Sequence, residues 1–315
     1  MKKIASGKSP KSKNGRRFDK KKCLRIALPV LLLVVLIFSY TPPGARMWSA
    51  LSEAAGLVHF TNALPEDALL VHVIDVGKAD AILLESPEAT VLVDCGTEAE
   101  AKTVLRYLAA RNIEALDAVW ISHPDSDHCG GLATLLEAVP VAEIVESPVA
   151  ASVAETVPLS QNQRIERAKV GENYRYGDMA FEVIGPLADY SETNNGSVVF
   201  RLVCGEFSML FCGDIEEKAE QDLLESGASL RADVLKVAHH GSATSTSEAF
   251  LQAVQPEYAV ISTGEDRNNL PRNLVLKRLD AEGVTFFRTD TDGPVVITAE
   301  DGHIRIITEN GRTAP

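Results

Sequence analysis

The stretch 122–131, SHPDSDHCGG, constrains this chain more than any other. Four groups with metal-ligating chemistry, His123, Asp125, Asp127 and His128, fall within six residues. An apolar run over 118–121 leads into them as a strand, and the pair Gly130-Gly131 lets the chain leave towards a helix. Alternating side chains on such a loop can direct one pair at one ion and the next pair at a neighbour. Imidazole nitrogen and carboxylate oxygen serve Zn²⁺ and harder ions such as Mn²⁺. A polar turn whose Asp caps a helix would explain one acid, but it needs neither two histidines nor this density of ligands.

The flanking chain supplies an alternation of strands and helices. Period and composition predict strands over 69–74, 81–84, 90–93, 118–121, 181–184, 198–203, 207–211, 233–238 and 258–261, and three closing strands up to Thr308. Helices are predicted over 98–110, 132–138, 216–225, 247–254 and 273–281. Such alternation indicates an α/β domain. Residues 147–178, rich in Ser, Glu and Gln, read as a loop or a lid. Polar residues of the right chemistry recur just past strand ends: Asp75 and Asp80, Asp94, the 123–128 loop, Asp214, and the pair His239-His240. Each alone is an ordinary turn or cap. Together they describe ligands for two ions with one carboxylate to bridge them, and two ions roughly 3.5–4 Å apart can clamp an in-line displacement.

Charge is divided sharply along the chain. Of its 31 Lys/Arg and 44 Asp/Glu, twelve and one lie in residues 1–46, so the remainder carries 19 against 43, a net of −24. A body that acidic disfavours tight non-specific binding of nucleic acid, which leans on Lys and Arg. The five cysteines are odd in number and lack CxxC spacing, which argues against a zinc finger or a disulfide framework. Cys204 and Cys212 flank a predicted hairpin turn at Gly205-Glu206 and would not face one another. Cys129 adjoins His128 and can approach an ion, although an inert buried side chain explains it as well.

Residues 1–22 form a lysine-rich tail, followed by LRIALPVLLLVVLIFSY over 24–40. These seventeen residues lie at the short end of the roughly 17–25 that cross a bilayer. The basic flank places the tail in the cytoplasm and the rest of the chain outside. The expected organisation is a cytoplasmic tail over 1–22, a single-pass signal anchor over 23–41, a linker over 42–68 containing Pro42-Pro43-Gly44, and a folded domain over 69–310. A cleaved signal peptide and a secreted product form the alternative; no small-x-small cleavage site lies close to the apolar run.

The motifs VIDVGKADAILL, VLVDCG, ISHPDSDHCGG, NNGSVVFRL, LFCGD, LKVAHHGSATS, PEYAVIS and FFRTDTDGPVVIT follow one another across 69–308. In that order the chain resembles the metallo-β-lactamase fold hydrolases, in the branch found as the C-terminal domain of the competence protein ComEC. The resemblance implies a four-layer αβ/βα sandwich with a dinuclear site at one edge, holding two divalent ions, Zn or Mn. Carried over by position, His123 and Asp125 would serve one ion, Asp127 and His128 the other, and Asp214 would bridge. One of His239 and His240 would complete the second site; His240 is taken as the ligand and His239 as a contact to substrate phosphate. Asp127 and His239 are the expected catalytic residues. Asp94 would orient a ligand histidine, while Asp75 and Asp80 would be structural or stand behind the ligands.

The function implied is a membrane-anchored, extracytoplasmic hydrolase of phosphoester bonds, in DNA or a small phosphodiester, with a metal-bound hydroxide attacking phosphorus. The alternative is a metal-binding but catalytically inactive cell-surface interaction domain. The chain departs from the wider superfamily at one place, in a way the branch tolerates, and from the branch itself at three. Asp125 stands where the wider superfamily has histidine, which favours a harder ion. Ala79 replaces a glycine and Lys78 a glutamine. Leu270 precedes Pro271 where the branch has a histidine, and it is this change that motivates the inactive alternative.

Overall fold

Runs of β-branched, aromatic and leucine residues collapse into two sheets in the computed structural model, which describes residues 68–314 apart from 156, 158–162 and 266, and a few positions between 34 and 47. The first sheet contains β1 (Leu69–Val73), β2 (Ile82–Glu85), β3 (Thr90–Val93), β4 (Leu116–Ile121), β5 (Val141–Glu146), β6 (Arg164–Arg167), β14 (Val295–Glu300), β15 (His303–Thr308) and β16 (Thr313–Ala314). Its order is β16-β15-β14-β1-β2-β3-β4-β5-β6. The second contains β7 (Asn173–Tyr176), β8 (Met179–Gly185), β9 (Val199–Cys204), β10 (Phe207–Phe211), β11 (Val234–Lys236), β12 (Tyr258–Ile261) and β13 (Thr285–Arg288), in the order β13-β12-β11-β10-β9-β8-β7. The parallel blocks β3–β6 and β10–β13 lie inside helix-covered layers. Their central strands therefore read as unbroken apolar runs rather than as alternations.

The two sheets pack face to face over an aromatic core. Trp120 stacks on Phe181 at 4.9 Å and Phe200 on Phe211 at 4.7 Å between ring centroids. Trp120 Nε1 donates to Tyr176 Oη, whose hydroxyl donates to Glu143 Oε1, so the one polar atom of the indole is satisfied inside the core. Helices α1 (Ala101–Ala110) and α3 (Leu132–Ala138) bury Val104, Leu108, Leu132 and Leu135 against the outer face of the first sheet. Helices α4 (Glu217–Ser226), α5 (Glu248–Val254) and α6 (Asn273–Ala281) do the same for the second through Leu223, Phe250 and Val275. Two four-residue helices, α2 (Ser126–Cys129) and α7 (Thr289–Asp292), complete the set. The result is the expected αβ/βα arrangement of four layers.

Several boundaries differ from the sequence reading. The expected loop or lid over 147–178 instead contributes an edge strand to each sheet, β6 and β7, and a short helical turn at Val153–Glu155. Edge strands such as β6, Arg-Ile-Glu-Arg, pair on one side only and keep polar side chains, which hides them from a search for apolar runs. β5 and β16 were not expected either. The strand predicted over 233–238 stops at Lys236 because His239 and His240 take left-handed backbone, φ +50° and +52°. The hairpin turn at Gly205-Glu206 is present, and the described cysteines 95, 129, 204 and 212 are free thiols. Among the described residues no helix is long and apolar enough to cross a membrane. Most of the expected anchor over 23–41, the whole tail and most of the linker lie outside the described residues.

Candidate metal centre

Strands β3, β4, β10 and β11 deliver their polar ends to one edge of the sandwich. Where β4 gives way to the ligand loop, Asp94 anchors the turn. Its Oδ1 accepts from Ser122 N–H and its Oδ2 from Ser122 Oγ, both at 2.8 Å. The loops are also joined through their backbones, Cys95 N–H to His128 C=O at 2.7 Å and Asp80 N–H to Asp127 C=O at 3.1 Å. A Cβ at Gly131 would fall 2.3 Å from Cys95 O, so this close approach requires glycine. Asp125 precedes α2 but makes no capping hydrogen bond to it, and its side chain is 47% exposed. The polar-turn explanation of this loop therefore leaves its acid unused.

Asp127, His128, Asp214 and His240 each place one ligand atom so that all four lie within 4.8 Å of one another. His128 Nε2 is 3.3 Å from Asp214 Oδ1, and His240 Nε2 is 3.6 Å from Asp214 Oδ2 and 3.5 Å from Asp127 Oδ2. The other ring nitrogens are committed: His128 Nδ1 bonds Asp94 Oδ2 at 2.9 Å, and His240 Nδ1 donates to the Ser262 carbonyl at 3.0 Å. Nε2 is thus the atom each imidazole offers to an ion. His123 lies alongside, its ring 4.1 Å from that of His128 and its Nε2 3.8 Å from Asp125 Oδ2. His123 Nδ1 faces the hydroxyls of Ser122 and Ser197 at 3.1 and 3.3 Å.

Among the buried atoms here without a hydrogen-bond partner are Nε2 of His123, His128 and His240, and Oδ1 of Asp214. Buried polar atoms are ordinarily paired. Nitrogen and carboxylate donors converging without partners have the composition of a divalent-cation site, so the residues present fit the ions that the sequence implied.

The electrostatics agree. Burial pushes Asp214 up, but His128 and His240 outweigh it and hold the carboxyl well below its usual range. Asp127 is likewise held below its usual range against burial, by the imidazole of His240 beside it, the His128 charge and Lys78. Burial would lower His128, yet Asp214 and Asp94 raise it well above an ordinary imidazole. Burial brings His123 down to about 3, with the His128 charge acting in the same direction. The carboxylates of Asp127 and Asp214 thus face the Nε2 atoms of His128 and His240, a donor set that a divalent cation would complete.

The remaining expected residues fall behind or beside this cluster. His239 is 20% exposed, its Nε2 3.9 Å from Asp214 Oδ2 and its Nδ1 3.3 Å from Glu216 Oε1. The two left-handed residues send His240 inwards and leave His239 at the mouth. Asp80 is buried beneath the ligands, 3.0 Å from Lys236 Nζ. Asp75 accepts from Gly77 N–H at 3.1 Å, which shapes its own loop. Cys129 is turned away: its thiol donates to the Pro124 carbonyl, and burial pushes it up to about 11.

Two lysines were missed as site residues. Lys78 Nζ lies 2.5 Å from Asp127 Oδ2, and Lys236 is a buried cation within an apolar strand. A lysine inside Val-Leu-Lys-Val is itself a signal, because such a charge needs a buried partner. Ser197 was noted only as part of a motif; its Oγ accepts from Asp214 N–H at 3.1 Å.

Fold and site together define a two-sheet metallohydrolase-like sandwich with its ligands on the loops of one edge. The metallo-β-lactamase superfamily profile matches residues 74–265, and the chain belongs to that superfamily. Competence protein ComA of Neisseria gonorrhoeae is 33% identical over 274 residues, which cover 84% of this chain and 38% of that protein. ComE operon protein 3 of Bacillus subtilis is 32% identical over 248 residues, 71% of this chain and 32% of that protein. The chain therefore spans about a third of the length of these relatives. The metallo-β-lactamase fold protein YhfI of Bacillus subtilis superposes with a TM-score of 0.52 at 14% identity, covering 76% of this chain and 99% of YhfI, a likeness of fold.

Proposed function

We propose that this chain is a membrane-anchored, extracytoplasmic metal-dependent hydrolase acting on phosphoester bonds. The observation that supports this most directly is the convergence of partnerless buried donors from His123, His128, Asp214 and His240. Asp127, His128 and His240 would hold one ion and His123 with Asp125 the other, with Asp214 between them. Two divalent ions, Zn²⁺ or Mn²⁺, supply polarisation of water and of the phosphoryl oxygen when bound.

The chain's own residues do the positioning. Asp94 and the Ser262 carbonyl keep two imidazoles in the ligating tautomer. His239, beside Glu216 at the mouth, is placed to donate a hydrogen bond to a phosphoryl oxygen of the substrate. The acidic body suits a small phosphodiester as well as DNA, since local attraction to an anionic ester would come from the site and not from the surface. The apolar run over 24–40 behind its basic tail would tether the domain to the outer side of a membrane.

The test is hydrolysis of bis(p-nitrophenyl) phosphate by the purified protein with Mn²⁺ or Zn²⁺ and with chelator. Metal-dependent turnover, reduced about a hundredfold or more in Asp127→Ala, is the expected result. A folded, metal-loaded protein without turnover would overturn the phosphoesterase reading and favour the inactive interaction domain. Leu270 would then be the first suspect: Pro271, next in the chain, packs directly on Gly241 beside the histidine pair.

A further inference from the structure

We propose that Lys78 is a resident counter-cation of the Asp127–His128–Asp214–His240 site, holding Asp127 and weakening that site's affinity for a divalent ion. The oxygen it takes is a ligand atom: Asp127 Oδ2 is 2.5 Å from Lys78 Nζ and 3.5 Å from His240 Nε2.

Lys78 is not a surface lysine that happens to fall there. Its loop is braced on three sides. Gly77 N–H bonds Asp75 Oδ1, and Ala79 N–H bonds the Gly77 carbonyl at 2.9 Å. Asp80 N–H bonds the carbonyl of Asp127 itself, at 3.1 Å, which ties the loop to the residue whose side chain Lys78 grips. From the far side Gly264 comes so close that a Cβ there would lie 2.6 Å from Gly77 Cα and 2.9 Å from Lys78 N. The lysine side chain is 26% exposed, so it lines the mouth of the site instead of reaching out into solvent.

An ammonium at hydrogen-bond distance from a ligand oxygen acts on an incoming cation in two ways. Its charge repels the ion at short range in a partly desolvated site, where the interaction is far stronger than in water. It also occupies a lone pair of Asp127 Oδ2 that would otherwise face the ion. The buried Lys236 differs in its partner, Asp80 at 3.0 Å, which is not one of the four converging donors. Four donors meet at the Asp127 site, whereas His123 and Asp125 form a sparser pair beside it. Lys78 therefore handicaps the site that is richer in ligands and draws the two affinities together. This inference concerns ion binding alone and does not depend on which bond the site cleaves.

The experiment titrates full-length protein with Zn²⁺ alone against a chelating indicator, for the wild type, Lys78→Gln and Lys78→Met. Glutamine can keep a hydrogen bond to Asp127 without the charge; methionine keeps neither. Both variants are expected to bind one of two equivalents of zinc about tenfold or more tightly than the wild type, the other equivalent being unchanged. Unchanged or weaker binding in Lys78→Gln would overturn the proposal. Weaker binding in Lys78→Met with wild-type binding in Lys78→Gln would also overturn it, assigning Lys78 to hydrogen-bonded positioning. A wild type that takes up two equivalents while the variants show no gain defeats this inference and leaves the metal centre standing. A wild type that takes up none defeats both.

Discussion

At the residue scale the candidate centre depends on groups that hold its histidines in place. Asp94 holds His128 through Nδ1 and fixes the turn at Ser122, so one carboxylate sets both a tautomer and a loop. Asp94→Asn keeps the shape and removes the charge. It is expected to weaken zinc binding by about 10–100-fold with an unchanged far-ultraviolet spectrum, measured by chelator competition; wild-type affinity would show that Asp94 only braces the loop. The ligand types were legible in the sequence because histidines and aspartates crowd one loop. The choice between His239 and His240 was not, since it depends on two consecutive left-handed residues and not on residue type. Lys78 was noticed only as a substitution. Its contact spans 49 positions of chain and becomes visible only when the loops meet.

At the scale of elements, β1, β2 and α1 are joined by a second buried polar group away from the centre. His72 Nδ1 is 3.0 Å from Tyr107 Oη, His72 Nε2 3.3 Å from Glu85 Oε2, and Arg111 Nε 3.1 Å from the same oxygen. Burial holds His72 below an ordinary imidazole, helped by the Arg111 charge and opposed by Glu85. Burial would raise Glu85, but His72 and Arg111 outweigh it and keep the carboxyl below its usual range. The signs then add. Unfolded His72 takes up a proton at about 6.5 that the folded protein refuses, so its contribution is fully present above that pH and is lost as pH falls below it. Glu85 contributes above the ordinary carboxylate range and loses its contribution as pH falls through its lowered folded value. The melting temperature is expected to fall from pH 7.5 to 5.5, less steeply in His72→Gln; equal slopes would contradict the role given to His72. Central strands were readable from apolar runs, whereas β6 and β7 were not, because an edge strand keeps the polar face that marks a loop.

At the scale of the whole molecule, the two sheets hold the loops in register through the aromatic stack between them. The ends of β3, β4, β10 and β11 are distant in sequence and meet only because both sheets present those ends at one edge. The ordered motifs made that layering legible, and the acidic body with its basic N-terminal region was legible from charge alone. Where ions would sit at this edge is a property of the assembled loops. The most direct measurement is anomalous diffraction at the zinc edge from zinc-loaded crystals. Two peaks roughly 3.5–4 Å apart are expected, one among Asp127, His128 and His240 and the other at His123 and Asp125, with Asp214 between them. No peak at this edge, or a single peak displaced to Asp80 and Asp94, would contradict the dinuclear centre.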